Sequence, residues 1–133
     1  VLTAINVTTS SINYGTLSAS STTGSTNQLA TSTNAGNSTT TIRLSANSTL
    51  TKGADFITTS SQRYSTSSFT FSGTSTALTA SPVTVLGFTL VTPTSTTNVS
   101  KSTYWGLEVV AGIATGTYSG VNLFTSLYID VAN

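Results

Sequence analysis

A chain of 133 residues is the length of one domain, and 54 of those residues are threonine or serine, 31 and 23 respectively, while Asp, Glu, Lys and Arg together make up 5%. Histidine, cysteine and methionine are all absent, so an imidazole triad, a thiolate nucleophile, a zinc cluster and a disulfide framework are excluded. Net charge is +1, and Arg43, Lys52, Arg63 and Lys101 stand apart along the chain. A phosphate backbone is recognised by clustered cations, so no nucleic-acid partner is expected.

Hydrophobic residues reach 37%, which supplies a core and sets the chain apart from disordered, highly charged tails. No apolar run is long enough to span a bilayer as a helix, so no membrane insertion of the mature chain is expected. The first residue is Val1, as after removal of a secretory leader, and export is the corresponding expectation.

The 31 Thr, 10 Val and 6 Ile are β-branched and stiff at χ1, and they favour a pleated surface over a helix. No stretch sustains helical spacing of apolar residues over three turns, so the chain reads as all-β with little or no helix. The first strand is expected within residues 1–8. Val1, Thr3, Ile5 and Val7 share its strongly apolar face, and Leu2, Ala4 and Asn6 share the other. Further strands are expected at 12–17, 27–32, 39–46, 56–60, 64–72, 83–91 and 102–110, each bounded by Gly, Pro, Asn or Ser/Thr clusters.

The longest strand closes the chain. Val121, Leu123, Thr125, Leu127, Ile129 and Val131 form one ladder, with Asn122, Phe124, Ser126, Tyr128 and Asp130 opposite. About nine short strands separated by turn signals predict a single β-sandwich, jelly-roll-like, over residues 1–133. Two hairpins are expected: Asn34-Ala35-Gly36-Asn37 would turn the third strand onto the fourth, and residues 114–120 would join the last two.

Chemistry-bearing groups are sparse. Asp55, Glu108 and Asp130 are the only carboxylate side chains and lie in three different segments, where they read as solvated charges. Ser100-Lys101-Ser102 places hydroxyls beside an amine, but neighbouring strand residues point to opposite faces, a poor geometry for proton transfer. No acidic calcium loop or phosphate-cradling glycine loop is present, so no cofactor, metal or catalytic residue is expected, and the chain reads as non-enzymatic. Phe124 and Tyr128 lie opposite the ladder of the last strand; the expected account is a central strand buried on both faces, and the alternative makes Phe124 and Tyr128 candidate interface aromatics. Trp105 alternates with Tyr104, so that one of that pair faces outward. Asn6, Asn37, Asn47 and Asn98 open N-x-S/T sequons, the candidate positions for covalent glycans. With so many hydroxyl residues, four sequons are no more than chance would place.

Residues 1–7 contain no charge, proline or glycine, so the usual guards of an edge strand are missing. Such a segment either folds into its own sandwich or is donated to a neighbouring sheet. The stretch Ile12-Asn13-Tyr14-Gly15-Thr16-Leu17, the turn Asn34-Ala35-Gly36-Asn37 and the closing Gly116-Thr117-Tyr118-Ser119-Gly120-Val121-Asn122-Leu123-Phe124-Thr125 resemble secreted β-sandwich modules of bacterial and archaeal surface proteins. Within that group the chain is similar to subunits of TasA-type matrix fibres and archaeal bundling pili or threads. The resemblance implies an extracellular filament of identical subunits joined by donated strands, with glycosylation, in which residues 1–8 donate and Val1, Thr3, Ile5 and Val7 fill the neighbour's groove. The carboxy-terminal strand is the other candidate donor. Two further readings are a monomeric carbohydrate-binding or adhesive module, with an exposed aromatic near Trp105 or Tyr128, and a viral jelly-roll structural protein.

Overall fold

The computed structural model describes residues 1–94 and 97–129. Their eleven strands run in the order β1 (Ile5–Val7), β2 (Ser21–Thr22), β3 (Gln28–Asn34), β4 (Thr40–Ala46), β5 (Leu50–Lys52), β6 (Asp55–Ile57), β7 (Gln62–Ser65), β8 (Thr76–Ala77), β9 (Val83–Thr84), β10 (Ser100–Val109) and β11 (Asn122–Tyr128), with one 3-10 turn at Thr59–Ser61. All pairings are antiparallel. One sheet has the order β1-β3-β10-β7-β8, with β2 also on β10; the second has the order β11-β4-β9; β5 and β6 form a separate two-stranded ribbon. The expected all-β sandwich is therefore present.

Both sheets contribute to the main interior cluster. Trp105 is 0% exposed and packs against Tyr64 at 5.4 Å and Phe124 at 5.9 Å between ring centroids, with Ile42, Leu44, Leu78, Phe88 and Leu90 around them. The indole N–H donates to Thr103 Oγ1 at 2.8 Å, so the largest buried ring leaves no unmet donor. A smaller cluster of Ile57, Leu107 and Val109 is covered by Leu17, Leu50, Ile113 and Tyr118.

Several expected elements take other forms. Residues 12–17 make no strand: Ile12 and Tyr14 insert side chains into the main cluster and Leu17 into the smaller one, so alternation there reports burial without a ladder. The 83–91 run pairs with β4 at Val83–Thr84 and through the Val85 N–H, which donates to the Ile42 carbonyl at 3.0 Å, after which it leaves the sheet as a loop that returns when Leu90 exchanges backbone bonds with Thr40. The 64–72 run ends at Ser65. Neither expected hairpin exists, because β3 and β4 belong to different sheets, as do β10 and β11. The Asn34–Asn37 turn instead crosses the sandwich. Asn34 holds that crossing: its buried amide donates to the carbonyls of Ser38 at 2.7 Å, Leu90 at 3.2 Å and Val91 at 3.0 Å, and its Oδ1 accepts from the Gly36 N–H at 3.0 Å.

A second polar tie joins three segments. The Tyr14 hydroxyl donates to Gln62 Oε1 at 3.0 Å, and Asn122 Nδ2 donates to the same oxygen at 2.9 Å. Burial drives the Tyr14 hydroxyl well above the usual tyrosine range and raises Tyr64 in the same direction. Because the folded state holds these protons more tightly than the unfolded chain, their contribution is complete below about pH 10 and is lost as pH rises beyond it. Thermal unfolding followed from pH 7 to 12 is therefore expected to show a falling midpoint above about pH 10, with a shallower fall for Tyr14→Phe.

Candidate assembly surfaces

The amino-terminal segment sits in a seat built from β3 and the turn that follows it. β1 pairs with β3 in the register Ile5↔Asn34, Asn6↔Thr33, Val7↔Ser32. The ladder continues on both sides: the Ala35 N–H donates to the Ala4 carbonyl at 3.0 Å and the Thr8 N–H to the Thr31 carbonyl at 3.0 Å. At its outer end the Asn37 side chain accepts from the Leu2 N–H at 2.6 Å, and the Asn37 N–H donates to the Leu2 carbonyl at 2.9 Å. Ser38 Oγ donates to that same carbonyl at 3.0 Å and lies 3.2 Å from Thr3 Oγ1.

Gly36 makes this approach feasible. A Cβ at that position would lie 2.2 Å from the Leu2 carbonyl oxygen, closer than any side chain tolerates. The seat thus recognises an extended backbone through neutral hydrogen bonds, and Ile5 adds an apolar anchor packed on the main cluster.

Within the chain's own seat the four residues of the expected donor set are placed differently. Ile5 is the anchor, Thr3 makes a polar contact and Val7 is half-buried, whereas Val1 is 95% exposed and fills nothing. Of the two places open to residues 1–7, the structure of the single chain puts them in its own sandwich. The twenty residues between β1 and β3 give the segment enough reach to return to its own sheet, and it occupies the seat there.

The last strand reverses the expected faces. Phe124 points inward onto Trp105, and Asn122 points inward to Gln62, so the ladder beginning Val121 and Leu123 faces outward, with these two residues 52% and 44% exposed. Phe124 is accordingly a core residue and no interface aromatic. Tyr128, at the strand's last position, is 46% exposed. Asp130 and Val131, assigned to this strand from the sequence, lie outside the described residues. β11 pairs with β4 alone and forms an edge of its sheet among the described residues.

The remaining candidates are dispersed. Asn6, Asn37, Asn47 and Asn98 are all exposed, Asn6 on the outward side of β1 and Asn37 at the rim of the seat. Asp55 faces Lys52 across the β5–β6 turn at 4.0 Å, while Glu108 is exposed on β10 opposite Thr22. Of the adjacent pair on β10, Trp105 is the inward one. Tyr104 lies on the outer face beside Leu29 and Ser65, continuous with the hydroxyl pairs Thr31–Ser102 at 2.9 Å and Thr33–Ser100 at 2.6 Å. No helix among the described residues is long and apolar enough to cross a membrane. Comparison with protein-family models, curated proteins and solved structures gives no match to this chain.

The seat was not legible from the sequence. Of its components, Gly36 read as a turn residue and Asn37 as a turn residue and sequon asparagine, and the one usable signal was the unguarded, charge-free stretch 1–7 that needs such a place.

Proposed function

We propose that the chain is a non-enzymatic structural subunit of an extracellular filament, assembled from identical copies by donation of residues 1–8 to the seat of the next copy. The observation that supports this reading is the seat itself. Its contacts are made to the backbone of an extended segment, and a copy of that segment arriving from another molecule would make the same hydrogen bonds and bury the same Ile5 side chain. Exchange of an identical element therefore costs little in contact energy, and head-to-tail exchange that does not close on itself generates a fibre. The exposed sequons at Asn6, Asn37, Asn47 and Asn98 are compatible with glycans on such a surface.

No charged side chain takes part in the seat's hydrogen bonds, so the polymer is expected to be insensitive to ionic strength. Electron microscopy at low salt and at about 1 M salt, where screening reaches within roughly 3 Å, should show filaments of equal abundance. Single particles in both conditions would reject the reading.

A second reading rests on the outer face around Tyr104, where a half-exposed ring lies beside Leu29 and a row of paired hydroxyls. Stacking on a sugar is within the reach of that surface. It predicts a monodisperse protein that binds glycan saturably and loses binding in Tyr104→Ala.

A further inference from the structure

We infer that the free edge of β11 is a self-complementary strand that pairs antiparallel with β11 of a second copy about a two-fold axis at Thr125. This contact is separate from strand donation: it is isologous, uses the opposite terminal strand and does not rest on the filament reading.

The direction of the backbone groups makes the edge available. The Asn47 N–H donates to the Val121 carbonyl at 2.8 Å and the Ile129 N–H donates to the Thr39 carbonyl at 3.1 Å, so the odd-numbered residues of β11 bond toward β4. Alternation then aims the N–H and C=O groups of Asn122, Phe124, Ser126 and Tyr128 away from β4. Among the described residues no strand pairs on that side; β1 of the facing sheet comes near β11 without joining its ladder. Residues 121–129 carry no charge, proline or glycine, so none of the usual guards against edge pairing is in place.

The occupant follows from the side-chain pattern. Reading outward from Thr125 in either direction, the same face carries leucine at Leu123 and Leu127, then a β-branched aliphatic at Val121 and Ile129; Val121 and Leu123 are exposed, and Leu127 and Ile129 are half-buried beside the 84–89 loop. An antiparallel copy centred on Thr125 sets Leu123 against Leu127 of the second copy, Val121 against its Ile129, and Thr125 against its Thr125. The same register joins Asn122 to Tyr128 and Phe124 to Ser126 as hydrogen-bonded pairs, which are the residues whose backbone groups are free. Shifting the centre to Phe124 or Ser126 sets Thr125 against a leucine, so hydrogen-bond parity and apolar matching agree only at Thr125. The result joins two three-stranded sheets into one of six. A seven-residue strand is about 24 Å long, a slender contact beside the roughly 800 Å2 per partner of a stable complex, so the pair is expected to be concentration-dependent and not obligate.

The chain has no cysteine, which permits a direct test by single substitutions. Thr125 is exposed, so Thr125→Cys leaves the fold intact, and in the proposed pair its Cα lies about 4.5 Å from its twin, within disulfide reach. Under mild oxidation Thr125→Cys should form a covalent dimer at least about ten-fold faster than Thr70→Cys, which is also exposed, the gain expected of a pre-positioned thiol pair. A mixture of Leu123→Cys and Leu127→Cys should cross-link faster than either variant alone. Equal rates for Thr125→Cys and Thr70→Cys would overturn the pairing, and a Thr125→Cys dimer without the mixed cross-link would overturn its register. Both readouts survive a failure of strand donation, which leaves the β11 edge untouched.

Discussion

Removing residues 1–7 is expected to abolish the polymer and leave a chain whose seat is open and which associates no further than the weak β11 pair. The segment contributes the Ile5 anchor and a ladder of neutral hydrogen bonds through Ala35, Asn37 and Ser38, which stabilise the fold against the cost of ordering the strand. A separate peptide with the sequence of residues 1–9 should restore that stability when added to the truncated protein, because the seat is formed by β3 and the turn after it. Gly36→Val should reproduce the loss without shortening the chain, since the new side chain would occupy the position of the Leu2 carbonyl. Sedimentation, with thermal unfolding in the presence of the peptide, measures both effects. Filaments of normal order from the truncated chain would exclude this segment as the connector.

The largest effect on stability is expected at Trp105. Its ring contacts aromatic partners from both sheets, Tyr64 on β7 and Phe124 on β11, so truncation opens a cavity at the place where the layers meet. Trp105→Ala should cost about 3–5 kcal/mol in urea unfolding, the usual range for a large buried ring. Trp105→Phe should cost about 1–3 kcal/mol, since it keeps much of the packing and gives up the indole N–H bond to Thr103. A loss below about 1 kcal/mol for the alanine variant would place the centre of the core elsewhere.

The strands that carry the core were legible because their β-branched and apolar residues recur at period two: β3, β4, β10 and β11 fall close to the expected segments. What alternation leaves open is which face turns inward when both are apolar. In the last strand Leu123 and Leu127 make the more regular ladder, yet Phe124 is inside, because only an aromatic side chain there reaches Trp105 across the layer. Turns present the same difficulty. Asn34, Gly36 and Asn37 have the composition of a hairpin, and what sends the chain to the other sheet is the set of bonds from the Asn34 amide to Ser38, Leu90 and Val91, the last two more than fifty residues away. The seat combines both problems, since it depends on a register between the first seven residues and a turn that begins after residue 34.

Placing cysteines at Asn6 and Thr33, which face each other in the β1–β3 ladder about 5.5 Å apart, tests strand donation most directly. In assembled and then oxidised material, donation places the two thiols of each bond on different molecules. The account predicts a ladder of covalent multimers on denaturing electrophoresis, dissolved by reductant. A single monomer band carrying an internal disulfide, from material that is nonetheless filamentous, would contradict it.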